Sequence, residues 1–214
     1  MSLLDFVYPK KCLGCGLEGK YFCLKCQKKL FPSHESDLEG MTAIWRYRGL
    51  VREVIKGFKY RFIQEMIKEI VGLAVNHLWQ QRKEKHLKFW QFMDRKPIII
   101  PIPLHSSRHN WRGFNQAEIL AKELAKTWQL PYTAKILRRV KSTRPQVELK
   151  GKERKENMQG AFSLSDELKE RDVLRGQDFL LVDDVVTTGA TISEGGKVLK
   201  KAGAAKVWGL TLAR

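Results

Sequence analysis

Residues 179–191 read Phe-Leu-Leu-Val-Asp-Asp-Val-Val-Thr-Thr-Gly-Ala-Thr. An apolar run of strand length ends in two adjacent carboxylates, Asp183 and Asp184. A short turn follows, with hydroxyls at Thr187, Thr188 and Thr191 around Gly189. An amphipathic stretch from Ile192 to Ala202 is then stopped by Gly203. The pattern predicts a strand, a loop and a helix N-terminus. Such a loop offers backbone N–H groups and a positive dipole end to a phosphate. The threonine hydroxyls add donors, and Gly189 allows close backbone approach. Two carboxylates beside a phosphate nest are odd unless the ligand also carries hydroxyls. A sugar phosphate fits, with carboxylates on ribose hydroxyls and the loop on a 5′-phosphate. An ordinary buried strand explains Phe179–Val182 but not an acidic pair and three threonines crowding one loop. A Walker A loop is excluded, because no Gly-x-x-x-x-Gly-Lys-Ser/Thr run occurs.

These thirteen consecutive positions resemble the signature of the type I phosphoribosyltransferases, whose ligand is phosphoribosyl pyrophosphate (PRPP). The resemblance implies a PRPP site built from Asp183, Asp184, Val185, Val186, Thr187, Thr188, Gly189, Ala190 and Thr191. It also implies Mg²⁺ bound together with PRPP.

The chain has 214 residues, 43% of them hydrophobic, enough for one sizeable domain and a small appendage. No run of about 18 uncharged apolar residues occurs, so no membrane span is expected. The start, Met-Ser-Leu-Leu-Asp-Phe, lacks the basic and apolar regions of a signal peptide, so a cytoplasmic setting is expected. Net charge is +17, from 40 Lys and Arg against 23 Asp and Glu. A lysine-rich solvated surface accounts for such an excess, and so does a polyanionic partner such as nucleic acid.

All four cysteines lie close together, in Cys12-Leu-Gly-Cys15 and Cys23-Leu-Lys-Cys26. Two such pairs at this spacing read as a tetrahedral, structural Zn²⁺ site with no open position. Gly14 and Gly16 would give the first knuckle its backbone freedom. An Fe–S cluster, two disulfides or four unrelated thiols are the other readings. A module this short has no core of its own, so the metal would supply most of its folding free energy. The expected division is a zinc module at 1–35 and a second domain at 36–214, with residues 31–35 as linker.

Along the second domain, Thr42–Tyr47 reads as a strand, and Leu50–Tyr60 and Gln64–Gln80 as helices. Residues 81–96 mix Arg82, Lys83, Lys85 and Lys88 with Phe89, Trp90 and Phe92. A helix end with one packed face is the preferred reading, and a stacking surface for single-stranded nucleic acid the sharper one. Pro97–Pro103 is a proline-broken strand, Asn115–Gln129 a helix, and Ala134–Val140 a strand. Residues 141–157 read as a mobile loop and Ala161–Leu164 as the returning strand of a hairpin. Residues 178–183, 190–202 and 206–212 complete the pattern as strand, helix and strand. Alternation of strands and helices predicts an α/β fold with a doubly wound parallel sheet.

Between the strand at 97–103 and the helix at 115 lies a basic loop, where such sheets bind ligands. Arg108 and Arg112 there are candidates for bidentate contacts to pyrophosphate, with Gly113 in the same loop. His105 and His109 read as loop histidines without catalytic duty. The segment from Arg138 to Phe162, with Arg139, Thr143, Pro145, Gln146, Arg154 and Asn157, would suit a lid that shields the reacting centre from water.

The ordered set comprises the cysteine quartet, Phe58-Lys-Tyr60, Pro101-Ile-Pro-Leu-His105, Arg112-Gly-Phe-Asn-Gln-Ala-Glu118, Arg144-Pro-Gln146, Asn157 with Ala161-Phe162, and the signature. Together they resemble the ComF (ComFC) family, the phosphoribosyltransferase-like competence proteins of bacteria. That resemblance implies a PRPP-binding domain with an N-terminal zinc finger acting in natural transformation. It further implies handling of incoming single-stranded DNA beside the DNA-uptake machinery. Two departures stand out: the basic, aromatic stretch at 81–96, and Arg144 where a small residue is usual. Three functions follow. One is phosphoribosyl transfer, with Asp183, Asp184 and Arg112 catalytic, which includes a nucleotide-metabolic enzyme unrelated to DNA uptake. Another is a DNA-handling factor that keeps the PRPP fold as sensor or scaffold. The third is a regulator in which PRPP gates DNA binding.

Overall fold

The computed structural model describes residues 10–33, 40–58, 63–83, 86–107, 113–141, 151–168 and 174–214. The chain runs α1 (Leu24–Gln27), β1 (Met41–Trp45), α2 (Gly49–Gly57), α3 (Ile63–Gln80), α4 (Leu87–Met93), β2 (Ile98–Pro101) and α5 (Gln116–Trp128). It continues through β3 (Leu137–Arg139), α6 (Gly151–Met158), β4 (Phe162–Leu164), β5 (Asp178–Val185), α7 (Ala190–Lys201) and β6 (Lys206–Ala213).

Four strands form one sheet in the order β1-β6-β5-β2, every neighbouring pair parallel. A parallel sheet is buried on both faces, which is why β5 reads as a continuous apolar run rather than an alternating one. Its side chains still alternate. Leu180 and Val182 enter one cluster, with Leu120, Ala121 and Leu124 of α5 and Ile67, Ile70 and Ala74 of α3. Phe179 and Leu181 enter the other, with Ile192 and Leu199 of α7 and Met158 of α6. The sheet is doubly wound, as the sequence predicts. Pro101 of β2 is tolerated because β2 is the last strand of the sheet. Its outer side is partly covered by residues 131–133, where Ile99 donates to the Pro131 carbonyl and Thr133 to the Ile99 carbonyl.

This winding creates the ligand crevice. The helix after β2 lies on one face and the helix after β5 on the other, while β2 and β5 are neighbours. Their carboxyl-end loops therefore diverge around a topological switch point, where open α/β sheets bind ligands.

The cysteine segment is part of the core. Cys12, Phe22 and Cys26 are buried in one cluster with Trp45, Leu50 and Val51. Residues 31–33 are not a free linker. Pro32 bridges Trp45 antiparallel, Ser33 donates to the Ile44 carbonyl and Arg46 to the Phe31 carbonyl.

Two other expectations are corrected. Residues 151–158 are helical, where a loop through 157 was expected; this charged helix has almost no apolar periodicity to announce it, and it is anchored by the buried Met158. Residues 142–150, with Thr143, Arg144, Pro145 and Gln146, lie outside the described residues. The 81–96 stretch contains α4, whose Phe89, Phe92 and Met93 are buried while Leu87 and Lys88 are exposed, in agreement with the preferred reading of a helix with one packed face; those phenylalanines are not available for stacking on a ligand. Strand β5 extends to Val185, two residues beyond the expected end, because Asp183 and Val185 remain in register with Thr211 and Ala213 of β6.

Candidate ribose-phosphate site and metal centre

The last ladder residues of β5 set the acidic pair at the carboxyl edge of the sheet. Strand alternation sends Asp183 to the face of Phe179 and Leu181 and Asp184 to the face of Leu180 and Val182. Each carboxylate is held by the next amide. Asp184 N–H donates to Asp183 Oδ1 at 2.9 Å, and Val185 N–H donates to Asp184 Oδ1 at 2.8 Å. Burial pushes the Asp183 carboxyl well above the usual aspartate range, and the neighbouring Asp184 charge pushes the same way. The guanidinium of Arg139 on β3 opposes the shift. Two adjacent, half-buried carboxyls at the edge of the sheet are a poor resting state and good receptors for hydroxyls, which donate to them.

After β5 the chain turns sharply. Val186 N–H still reaches the Ala213 carbonyl at 2.9 Å. Thr187 is exposed, and Thr188 Oγ1 accepts from Ala190 N–H at 3.4 Å. Gly189 caps α7 at φ 77°, a left-handed conformation in which a side chain is strained. Ala190 and Thr191 open the helix, in the turn whose amides lack intrahelical acceptors. The loop thus offers hydroxyls, amides and a helix dipole within a few residues of the acidic pair.

The loop after β2 forms the other wall. Asn115 ties both its ends: Nδ2 donates to the Ile102 carbonyl at 3.0 Å, and Oδ1 accepts from Ala117 N–H at 3.1 Å as the N-cap of α5. Asn115 is buried, and sequence reasoning gave it no role, although an Asn directly before an apolar helical period is a capping signal. Gly113 adopts φ 75°. His105 holds Ser107 within the loop, with Nδ1 2.8 Å from Ser107 Oγ, in keeping with a local structural role. Arg108, His109 and Arg112 lie outside the described residues.

The expected hairpin pairs β3 antiparallel to β4. Arg139 of β3 has Nη2 3.6 Å from Met158 Sδ and its guanidinium 5.6 Å from the centre of the Phe162 ring, and its charge acts on Asp183. Gly160, at the β4 end, donates its N–H to Glu194 of α7 at 3.0 Å. The hairpin is therefore fastened to the helix that begins at the signature loop.

The sulfur atoms of Cys12, Cys15, Cys23 and Cys26 all lie within 4.8 Å of one another. A tetrahedral zinc with sulfurs at about 2.3 Å holds them about 3.8 Å apart, so this donor set and spacing fit the metal. Cys23 N–H donates to Cys12 Sγ at 3.5 Å, an amide–sulfur bond that stabilises a thiolate. Burial works against ionisation of Cys12, but this bond and the neighbouring amides win and bring the thiol down to about 6. Gly16 has the expected positive φ of 76°. Gly14 does not; it is needed for space, because a Cβ there would stand 2.8 Å from Cys26 Sγ.

With this geometry in view, the comparisons with known proteins are decisive. The chain is 33% identical over 207 residues to competence protein F of Haemophilus influenzae, covering 94% of this chain and 84% of that protein. The chain belongs to the ComF family. It is also 30% identical over 196 residues to the DNA utilization protein YhgH of Salmonella typhimurium, covering 92% and 80%. Against competence protein ComFC of Bacillus subtilis the identity is 26% over 175 residues, covering 80% and 63%. The phosphoribosyl transferase domain family matches residues 111–214, which contain α5, the hairpin, the acidic pair and the signature loop. As a ComF member the chain has a phosphoribosyltransferase-like fold with a four-cysteine cluster near its N-terminus. No helix among the described residues is long and apolar enough to cross a membrane.

Proposed function

We propose that this ComF protein binds PRPP at the β2–β5 switch point and acts in natural transformation, where it handles incoming single-stranded DNA beside the uptake machinery. The observation that carries the PRPP reading is the junction of β5 and α7. A withdrawn acidic pair, a threonine-rich turn and a left-handed Gly189 meet at the carboxyl edge of a doubly wound sheet. In this reading Asp183 and Asp184 accept the ribose hydroxyls, and residues 185–191 cradle the 5′-phosphate. Arg108, Arg112 and Gly113 hold the pyrophosphate. Mg²⁺ supplies charge neutralisation at the pyrophosphate, and the acidic pair stands where it would help hold the ion. The hairpin carries Arg139, whose charge acts on Asp183, and in this reading it helps to exclude water from the site. The four cysteines would hold a structural zinc. The DNA role is supported by the names of the relatives and by the net charge of +17.

Calorimetric titration of PRPP with Mg²⁺ into the wild type and into Asp184→Asn tests the site. Binding that disappears in the variant supports it. Absence of binding by the wild type refutes the PRPP reading. Transfer activity is tested separately, by pyrophosphate release on screening acceptors.

A further inference from the structure

The sheet has a second end. Helix α4 closes the amino end of the strands: Phe92 stacks on Trp208 near the start of β6 with ring centres 5.7 Å apart, and Arg95 pairs with Asp178, the first residue of β5, at 2.6 Å. About 25 Å of strand, eight residues at about 3.3 Å each, separates this end from the signature loop.

Five of the six tryptophans are described, and four of them are buried or partly buried in the main core cluster. Trp79, near the end of α3, is the exception, with 52% of its surface exposed. It is nevertheless held rigidly. Its ring meets Trp90 edge-on, centres 5.3 Å apart at 83°. Trp90 is itself fixed by its Nε1–H donated to the Leu78 carbonyl at 3.2 Å, and it packs against Phe89 and Trp128. The guanidinium of Arg82 lies 4.0 Å from the centre of the Trp79 ring and donates to the Trp79 carbonyl at 2.9 Å. Lys83, next to Arg82 in sequence, and Lys88, two residues before Trp90, are exposed. Among the described residues from 79 to 96 the one acid is Asp94, at the far end of α4.

We infer that Trp79 and Arg82 form a stacking platform for the unpaired bases of a single-stranded nucleic acid, with Lys83 and Lys88 on its phosphates. An ordered, half-exposed indole offers a π-face that any base can use, and the ordering entropy of the side chain is already spent on its packing against Trp90. Residues 82–88 carry Arg82, Lys83, Lys85 and Lys88 against the single acid Glu84, and such a positive excess beside an aromatic platform is the complement of a phosphodiester strand. A duplex does not fit, because its bases are already stacked. The site rests on the DNA-handling reading above and assigns it to the end of the sheet remote from the sugar-phosphate crevice. Strand and PRPP would then bind without sharing a residue.

The test is fluorescence anisotropy of a labelled oligo-dT of about 15 nucleotides at low salt, a length typical of such sites. Trp79→Ala should weaken binding roughly 5- to 150-fold, the equivalent of one stacked base at ~1–3 kcal/mol, while PRPP calorimetry stays at the wild-type value. Trp79→Phe should retain most of the affinity. Removing Lys83 and Lys88 together should flatten the salt dependence by about 0.7 for each phosphate that is no longer neutralised. Arg82→Glu gives a second route if Trp79→Ala fails to fold, and it should also weaken binding. A wild type that binds the oligonucleotide while Trp79→Ala and Arg82→Glu bind it equally well overturns the platform, as expected if this patch instead docks a protein. A wild type that does not bind at all overturns the DNA part of the proposed function and this inference with it.

Discussion

Gly209 of β6 lies directly beneath Ile192 of α7: a Cβ built on it would stand 2.5 Å from Ile192 Cγ2 and 2.9 Å from Met41 Cγ. The methionine side chain can swing away, but Ile192 is β-branched and sits in the first turn of a helix, where its χ1 is restricted. The signature loop ends three residues earlier, so the close approach of helix to sheet at Gly209 also fixes where that loop stands. Gly209→Ala should cost ~1–3 kcal/mol of stability by overpacking. It should also weaken PRPP binding, because relief requires α7 to move. Adding Ile192→Ala removes the clashing methyl and should restore part of both. Thermal melts of the single and double variants check this, and a Gly209→Ala protein that melts like the wild type would show that α7 has room above Gly209 for a methyl group.

The acidic pair gives stability a definite pH dependence. The folded-state pKa of Asp183 is raised by burial and by Asp184. The folded chain therefore holds this proton more tightly than the unfolded chain does. The stabilising effect is fully present below the unfolded value of about 4 and is lost as pH rises toward the folded value. Above that point the ionised, withdrawn carboxyl is a standing cost. Asp183→Asn should therefore be at least as stable as the wild type near pH 7. The advantage should vanish in acid, and PRPP binding should be lost at every pH. Denaturant titrations across pH 4 to 8 measure the difference. A variant less stable than the wild type at neutral pH contradicts the burial of this charge. The trade of stability for a binding site is common in evolved proteins.

Most of the fold was legible because its signals are local. The apolar run of β5, the period of α3 and α5, and the Cys-x-x-Cys pairs each state their structure within one window. The rest depends on packing between segments distant in sequence. Helix α6 has little apolar periodicity, and its buried Met158 belongs to the second core cluster. A helix with one packed face was readable at 81–96, but not what Phe89 and Phe92 pack against, because Trp128 and Trp208 lie more than thirty residues away. At the site, the acidic pair and the glycine turn were readable, since their chemistry is odd for a plain turn. The action of the Arg139 charge on Asp183 was not, because the placement of a hairpin leaves no mark in spacing.

Asn115 joins two elements that a pyrophosphate loop must hold apart at a fixed distance. Its carboxamide accepts from Ala117 N–H and donates to the Ile102 carbonyl. Asn115→Ala should cost ~0.5–2 kcal/mol through loss of the helix cap. Asn115→Asp retains the cap acceptor but cannot donate to Ile102. If the link to the strand end matters for the ligand, Asp should recover stability relative to Ala without recovering PRPP affinity. Equal PRPP affinity for wild type and Asp would show that the cap alone is what the site needs.

The two glycines of the first knuckle separate geometry from backbone strain at the proposed zinc site. Gly16 has φ 76° with open space around its Cβ position, so Gly16→Ala meets the left-handed penalty of ~1–2 kcal/mol without touching a sulfur. Gly14 has no such φ, but its Cβ would stand 2.8 Å from Cys26 Sγ and 3.1 Å from Cys26 Cβ. Cys26 is buried against the main core and has little room to withdraw. Protein purified without added metal should carry about one zinc per chain, as a closed four-thiolate site requires. Gly14→Ala should surrender that zinc to a chelator at markedly lower concentration than the wild type. Gly16→Ala should melt earlier yet keep its metal nearly as well. Because the module shares its core with Trp45 and Leu50, zinc loss should also lower the melting temperature of the whole chain. Equal zinc retention in the two variants would mean that Gly14 is not the close packing partner of Cys26, and well under one zinc per folded chain would remove the metal itself.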